Sequence, residues 1–446
     1  MGDGGWGADR EMFRRTTAAP PGRAGGAQGA GRPAPTGSAR ADGEREVGAG
    51  RDKHRPARVL PRTARSPPLN PHTPPPRVDS LTQAVLGAAV GEAVAGPRLG
   101  RRAALWGAVA GTLPDLDVLA YPWLDTAAEL QFHRGLTHGL AFAFVAGPAL
   151  GWLAWRAERW RAGRAARRDP DRPARPAGTQ RAWTAVWFWA LLTHPVLDTF
   201  TVYGTQLLAP FSDRPFAVGS VFIIDPLYTA PLAAGLVAAL LSRSRVRGRR
   251  WAGWGLAVSS AYLAWGLVAQ QTAHRATLRA LEVEGVRPAR VLTAAAPLTT
   301  LLWRSEVEVE TDSGTVYLTG LRSLFDGPGM AFDTTAARHD LLAPYAGTRQ
   351  VETLRWFSRG WLRVRPDTAA GGRGGLLVSD VRFGRADGGL GRGDGEAPYL
   401  FTWRLGPGGA GGVALEQAEF AADVSADLLG ALLRRSLGRT PPGAGR

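Results

Sequence analysis

Cysteine is absent from this chain, which excludes disulfides and thiolate metal sites and leaves His, carboxylate or carbonyl ligands for any metal. Lysine is nearly absent as well, so the basic side chains are almost all arginine. Lys and Arg number 54 against 38 Asp and Glu, a net charge of +16. Such an excess suits anionic lipid or a positively charged cytoplasmic side as readily as nucleic acid. The Arg bias accompanies abundant Ala, Gly and Pro, the pattern of GC-rich coding, and no nucleic-acid partner is expected. Forty-five per cent hydrophobic residues and 16 Trp in 446 residues could fill two or three domains.

Residues 1–77 have few apolar side chains and no hydrophobic period, too little buried surface to offset the entropy of ordering. They read as a disordered, dispensable extension. They lack the apolar centre of a signal peptide, and Asp9, Glu11, Glu44 and Glu46 argue against a transit peptide. Val78 directly precedes the first structured segment, and a GTG codon there could itself start translation.

From residue 81 to about 271, apolar stretches alternate with short basic ones. Segments 136–155, 183–203, 218–241 and 251–268 approach the length needed to cross hydrocarbon, while 81–95 and 103–120 are shorter or carry charge. The reading is a mainly α membrane helical bundle of about six transmembrane helices over residues 78–272. An α+β domain then follows over residues 273–446. There Val307 and Val309 alternate with glutamates, and Asp312-Ser313-Gly314 turns the chain into Val316 and Leu318, a β-hairpin signature. Further strands are expected over 361–364, 376–383 and 399–405, with helices over 333–357 and 424–437.

Basic loops at Arg98 to Arg102, at residues 156–181 and at Arg243 to Arg250 all fall on one side of such a bundle. The positive-inside rule makes that side cytoplasmic and places the C-terminal domain outside. The expected location is the inner (plasma) membrane, as a multi-pass protein.

Three motifs carry chemistry. His194 and Asp198 are four residues apart, hence on one helix face, and their types form a usual pair of metal ligands. A surface hydrogen bond would explain the same pair on a soluble helix, but ionisable groups inside a span are costly and usually functional. His133 and His138 do not share a helix face, yet converge if Gly135 breaks the helix. Their bland alternative, with Arg134, is a cluster meeting lipid headgroups. Asp115 and Asp117 follow Pro114, which disfavours α conformation at Leu113 and interrupts the helix. Asp115 could be a cap, but a cation is the simplest compensation for two carboxylates in an apolar segment. Of seven His in the chain, three lie in these motifs, and the assumed topology puts every motif on the outer side. Asp79 and Asp225 begin spans, where N-capping explains them as well as binding does.

Together Asp79 to Gln83, Pro114 to Asp117, His133 to His138, and His194 to Asp198 followed by Tyr203-Gly204 resemble the YdjM-like family of membrane-bound metal-dependent hydrolases. The later Pro210-Phe211-Ser212 and Ile224-Asp225-Pro226 segments resemble the long members with an extra C-terminal domain. The resemblance implies remote kinship to zinc-dependent phospholipase C and P1-type nucleases, which hold metal with His and Asp ligands. It departs at Gln83, where shorter members commonly have His.

The resulting expectation is a metal-dependent hydrolase of a phosphoester or lipid-related substrate near the outer membrane face. Asp115, His133, His138, His194 and Asp198 would bind a divalent metal, zinc first and manganese or magnesium as alternatives. Asp117 and Arg134 would serve catalysis, with membrane lipids and a small-molecule or lipid substrate as partners. An ion or proton transporter component and a non-catalytic membrane scaffold are the alternatives.

Overall fold

The computed structural model describes residues 78–169, 171, 176–368, 375–390, 397–418 and 425–439. The expectation of a disordered extension at 1–77 lies outside these residues, as do the side chains of residues 78–80, and with them the reading of Asp79.

The first half is helical. Helices α1 (Val78–Leu99) and α2 (Arg102–Thr112) form an antiparallel pair joined by a tight turn. Their glycines explain the fit, because a Cβ on Gly87 would stand 2.2 Å from the Gly107 carbonyl oxygen. Such backbone-to-backbone approach is the small-residue packing that helices use in membranes, where apolar lipid provides no hydrophobic drive for association. Helix α2 ends just before Pro114, although Leu113 keeps right-handed helical angles (φ −56°, ψ −42°) against the expectation that the proline would exclude them, and the 3-10 segment Pro114–Trp123 leaves α2 at an angle of 41°. Asp125 caps the short α3 (Thr126–Phe132) by accepting from the Ala128 N–H at 2.7 Å. A 3-10 turn, Leu136–His138, leads into α4 (Leu140–Arg168), which pairs with α5 (Gln180–Asp198). After a loop, α6 (Pro226–Leu241) packs against α7 (Arg245–Val283), which runs as one helix across residue 272.

Among the described residues two helices, α4 and α7, are long and apolar enough to cross a membrane, and the bent pair of α2 with Pro114–Trp123 makes a third if it is one span. The expected count of about six crossings is not supported. Helices α2 and α6 are 11 and 16 residues long, short of the roughly 20 that hydrocarbon requires. Helices α1 and α5 interrupt their apolar runs with Gln83, Glu92, His194 and Asp198, all buried inside the bundle.

The second half holds two four-stranded antiparallel sheets. One is ordered β1 (Arg290–Ala295), β2 (Leu302–Thr311), β3 (Gly314–Ser323), β4 (Phe332–Ala336). The other is β5 (Leu362–Pro366), β6 (Leu376–Arg385), β7 (Tyr399–Pro407), β8 (Val413–Gln417). The expected hairpin is β2–β3, with Thr311 opposite Gly314 at the turn, and α9 (Ala426–Ser436) closes the domain. The helix expected over 333–357 is corrected. Its first part is β4, held by pairing with β3 from Val316 opposite Ala336 to Gly320 opposite Phe332. A 3-10 turn, His339–Tyr345, follows, and helix begins only at α8 (Arg349–Ser358).

The two halves share one core. Ala127 and Leu130 of α3 pack with Val351, Leu354 and Phe357 of α8 and with Trp403 of β7. Gln131 donates to Thr353 Oγ1 at 3.1 Å, and Arg349 pairs with Asp125 at 2.7 Å. The second sheet and α8 therefore sit directly on the segment that carries His133 and Arg134.

Candidate metal centre

The centre is assembled from three breaks in helical structure around α5. His194 lies inside α5 and Asp198 is its last residue, one turn on, so the spacing of four puts both on one face. Asp115 comes from the segment that Pro114 starts, and His138 ends the 3-10 turn before α4. His133 follows the end of α3 in extended conformation, and Arg134 takes φ of 57°, a backbone uncommon for a non-glycine residue. That turn aims the Arg134 N–H at Asp117 Oδ2, 3.1 Å away.

Four of the expected residues converge. His138 Nε2 and His194 Nε2 are 3.1 Å apart. Asp115 Oδ1 stands 3.4 and 3.3 Å from these two nitrogens, and Asp198 Oδ2 stands 3.5 Å from each. His138 and His194 are fully buried, and Asp198 is 2% exposed. Asp115, His138 and His194 each offer a ligand atom to one group within 4.8 Å.

The hydrogen bonds around the rings decide what this geometry can be. His194 Nδ1 donates to the Gly111 carbonyl at 2.6 Å, so its proton is there and Nε2 presents a lone pair. His138 Nδ1 is 3.1 Å from Thr137 Oγ1, and the Thr137 hydroxyl donates to Asp117 Oδ2 at 3.4 Å. The hydroxyl oxygen then accepts from His138 Nδ1, leaving His138 Nε2 as a second lone pair. Two ring nitrogens and two carboxylate oxygens, all acceptors, thus face one point. Asp198 Oδ2 and the other Asp115 oxygen, Oδ2, have no hydrogen-bond partner among the described residues. Buried acceptors in that state are costly, and the group of Asp115, His138 and His194 could hold a metal ion that compensates them. The carboxylate-to-imidazole distances match the roughly 3.3–3.6 Å that separates ligands at about 2.0–2.2 Å around a zinc-like ion.

His133 is not brought into this quartet. Its Nδ1 donates to Asp117 Oδ1 at 2.9 Å, and its ring meets the His138 ring edge-on at 5.8 Å between centroids. Asp117 is the shared partner of His133, the Arg134 backbone and Thr137, so it braces the loop carrying both histidines. The Arg134 side chain, 3% exposed, lies 3.4 Å from Asp198 Oδ2 through Nε, donates to Thr201 Oγ1 at 3.1 Å, and stacks over the Tyr203 ring at 4.8 Å. Asp225 is a helix cap, accepting from the Leu227 N–H at 3.0 Å and from the Tyr262 hydroxyl at 2.9 Å.

Gln83 has a role that motif reading did not assign. It donates to Asp198 Oδ1 at 2.9 Å and to the His194 carbonyl at 3.3 Å, turning the other Asp198 oxygen toward the histidines. The signal was available, since a glutamine in an apolar helix needs a buried partner, but nothing local says which.

The family described as "YdjM inner membrane protein" matches residues 78–273, which contain every residue of the centre. Inner membrane protein YbcI of Escherichia coli (strain K12) is 33% identical over 153 residues, covering 33% of this chain and 76% of YbcI. Uncharacterized protein YfhP of Bacillus subtilis (strain 168) is 29% identical over 171 residues. That match spans 35% of this chain and less than half, 45%, of YfhP. No solved structure matches.

Proposed function

Starting from a chain that belongs to the YdjM inner membrane protein family, we propose that it is a membrane-bound metal-dependent hydrolase of a phosphoester. The observation that carries this reading is the convergence of ligand atoms from Asp115, His138 and His194 at 3.1 to 3.4 Å from one another, with Asp198 Oδ2 3.5 Å from both histidines. Asp115, His138, His194 and Asp198 would hold the cation, with zinc the best match to two imidazoles and two carboxylates. A divalent ion held there would supply Lewis acidity for hydrolysis.

The surrounding residues divide the remaining work. Gly111 and Gln83 fix the orientation of His194 and Asp198, the outer support that ligands need. His133, with a side chain 17% exposed and an Asp117 carboxylate at its Nδ1, is the group placed to hold or move a proton at Nε2. Arg134 supplies fixed positive charge beside Asp198. In this reading the centre and the C-terminal domain face the outer side, because the arginine-rich end of α4 takes the cytoplasmic one. An extracytoplasmic reporter fused after Arg446 should be active.

The deciding experiment is elemental analysis of detergent-purified full-length protein, followed by assay of phosphomonoesters and phosphodiesters with and without chelator. About one divalent metal per chain and chelator-sensitive turnover are the expected results. Protein that binds no divalent metal sinks the hydrolase reading. A transporter reading would then gain from Glu92 of α1, 1% exposed, whose two carboxylate oxygens have no hydrogen-bond partner among the described residues.

A further inference from the structure

The sides of the centre are not equally closed. Toward the C-terminal domain it is covered by aromatic side chains. The Tyr203 ring, which Arg134 stacks on, is itself held edge-on by Phe357 and Phe383 at 5.0 and 6.0 Å between centroids. Arg382 of β6 donates to the Val202 and Tyr203 carbonyls at 3.2 and 3.4 Å, fixing that loop from the same side. Within the quartet, His138 and His194 side chains have no exposure and Asp198 has 2%, whereas Asp115 has 15%. The edge at Asp115 is therefore the most exposed of the quartet.

That edge is apolar and continuous with a membrane segment. Asp115 lies on Pro114–Trp123, which with α2 meets the length and composition of a bent span. Around it, Leu116, Leu119 and Trp123 are 47%, 64% and 83% exposed, and Leu136, beside the 3-10 turn of His138, is 58% exposed. In water such a collar would be an interaction surface. On a membrane protein, at the end of a span, its natural neighbour is an acyl chain, and a tryptophan there sits at headgroup level.

Building on the hydrolase reading, we propose that the substrate is an acyl-chain-bearing phosphate ester that reaches the centre sideways from the bilayer, past Asp115, with its chain along Leu116, Leu119 and Trp123. The proposal distinguishes a membrane phospholipid from a free phosphate ester of the same headgroup, since only the former uses the collar.

The test places the full chain, reconstituted in nanodiscs with its divalent metal, against two photoreactive probes with the same diazirine-bearing acyl chain, a phosphatidic acid and a diacylglycerol. Labelling of the Pro114–Trp123 peptide by the phosphate probe should exceed that by diacylglycerol by about tenfold, a modest free-energy difference. The excess should fall to parity with chelator and in Leu119→Asp or Trp123→Asp, variants outside the metal ligands that should keep their metal. Glycerol 3-phosphate should compete about a hundredfold less well than phosphatidic acid, because it lacks the chain. Equal labelling by the two probes in metal-loaded protein, an excess that survives both collar variants, or equal competition by glycerol 3-phosphate overturns lateral access and leaves the hydrolase reading standing. Metal-free protein on elemental analysis removes the hydrolase reading and this proposal with it.

Discussion

Two groups of buried charge, one in each half of the molecule, look alike by burial and differ in their hydrogen bonding. In β6, Asp380 and Arg382 are 0% and 1% exposed. Arg382 donates through Nε and Nη2 to both Asp380 oxygens at 2.6 to 3.0 Å, and spends a further Nη2 bond on the Phe357 carbonyl at 2.7 Å. Each charge there is answered by its neighbour. In the helical half, His138, His194 and Asp198 are as deeply placed, with Asp115 at 15% exposure beside them, but the quartet's atoms are acceptors facing acceptors. Burial of charge alone therefore does not mark a site. What separates a structural ion pair from a candidate metal centre is whether donors and acceptors balance once the surrounding bonds are assigned.

The contrast can be broken at either end. The largest effect is expected at the quartet, where His194→Ala or Asp198→Ala should reduce bound metal to background while circular dichroism keeps the helical signal. Retained metal in both variants would mean that the convergence is accidental. At the other group, Asp380→Ala leaves a guanidinium buried without its carboxylate and should destabilise the protein by about 3–5 kcal/mol, read by denaturant unfolding in detergent. A loss near zero would show that Arg382 finds another partner and that the balance described here is loose.

Smaller effects sharpen the comparison. Gln83→Ala keeps all four acceptors but frees Asp198 to turn, and metal affinity measured by chelator competition should fall by about 10–100-fold. An unchanged affinity would remove Gln83 from the centre. The mildest prediction concerns pH. Burial pushes the Glu306 carboxyl up from an ordinary 4.5 to about 7, opposed by Arg304 and by the hydrogen bond from Thr319. A raised folded-state value means that the folded protein binds the extra proton. The stabilisation is thus full below 4.5 and is lost as pH rises through about 7. Thermal unfolding of Glu306→Gln should have a flatter pH dependence across that window than the parent, and parallel profiles would contradict the shift.

Whatever depends on near neighbours was legible in the order of residues. The spacing of His194 and Asp198 put them on one helix face, Pro114 ended α2, the Asp312-Ser313-Gly314 turn made the β2–β3 hairpin, and absence of cysteine limited the ligand types. Periodicity, proline geometry and turn chemistry are local, so they survive without knowledge of the rest of the chain. Tertiary structure alone decided which of the candidates meet. His133 and His138 are five residues apart in one motif, yet only His138 faces His194, because Asp117 holds the His133 ring through Nδ1. Residues 332–336 became strand β4 because β3 offered them an edge to pair with. Gln83 gained its role only when α1 packed beside α5 and brought Asp198 within 2.9 Å. Such distances are set by how closely helices approach and by which hydrogen bonds are already taken, quantities that no short window of sequence contains.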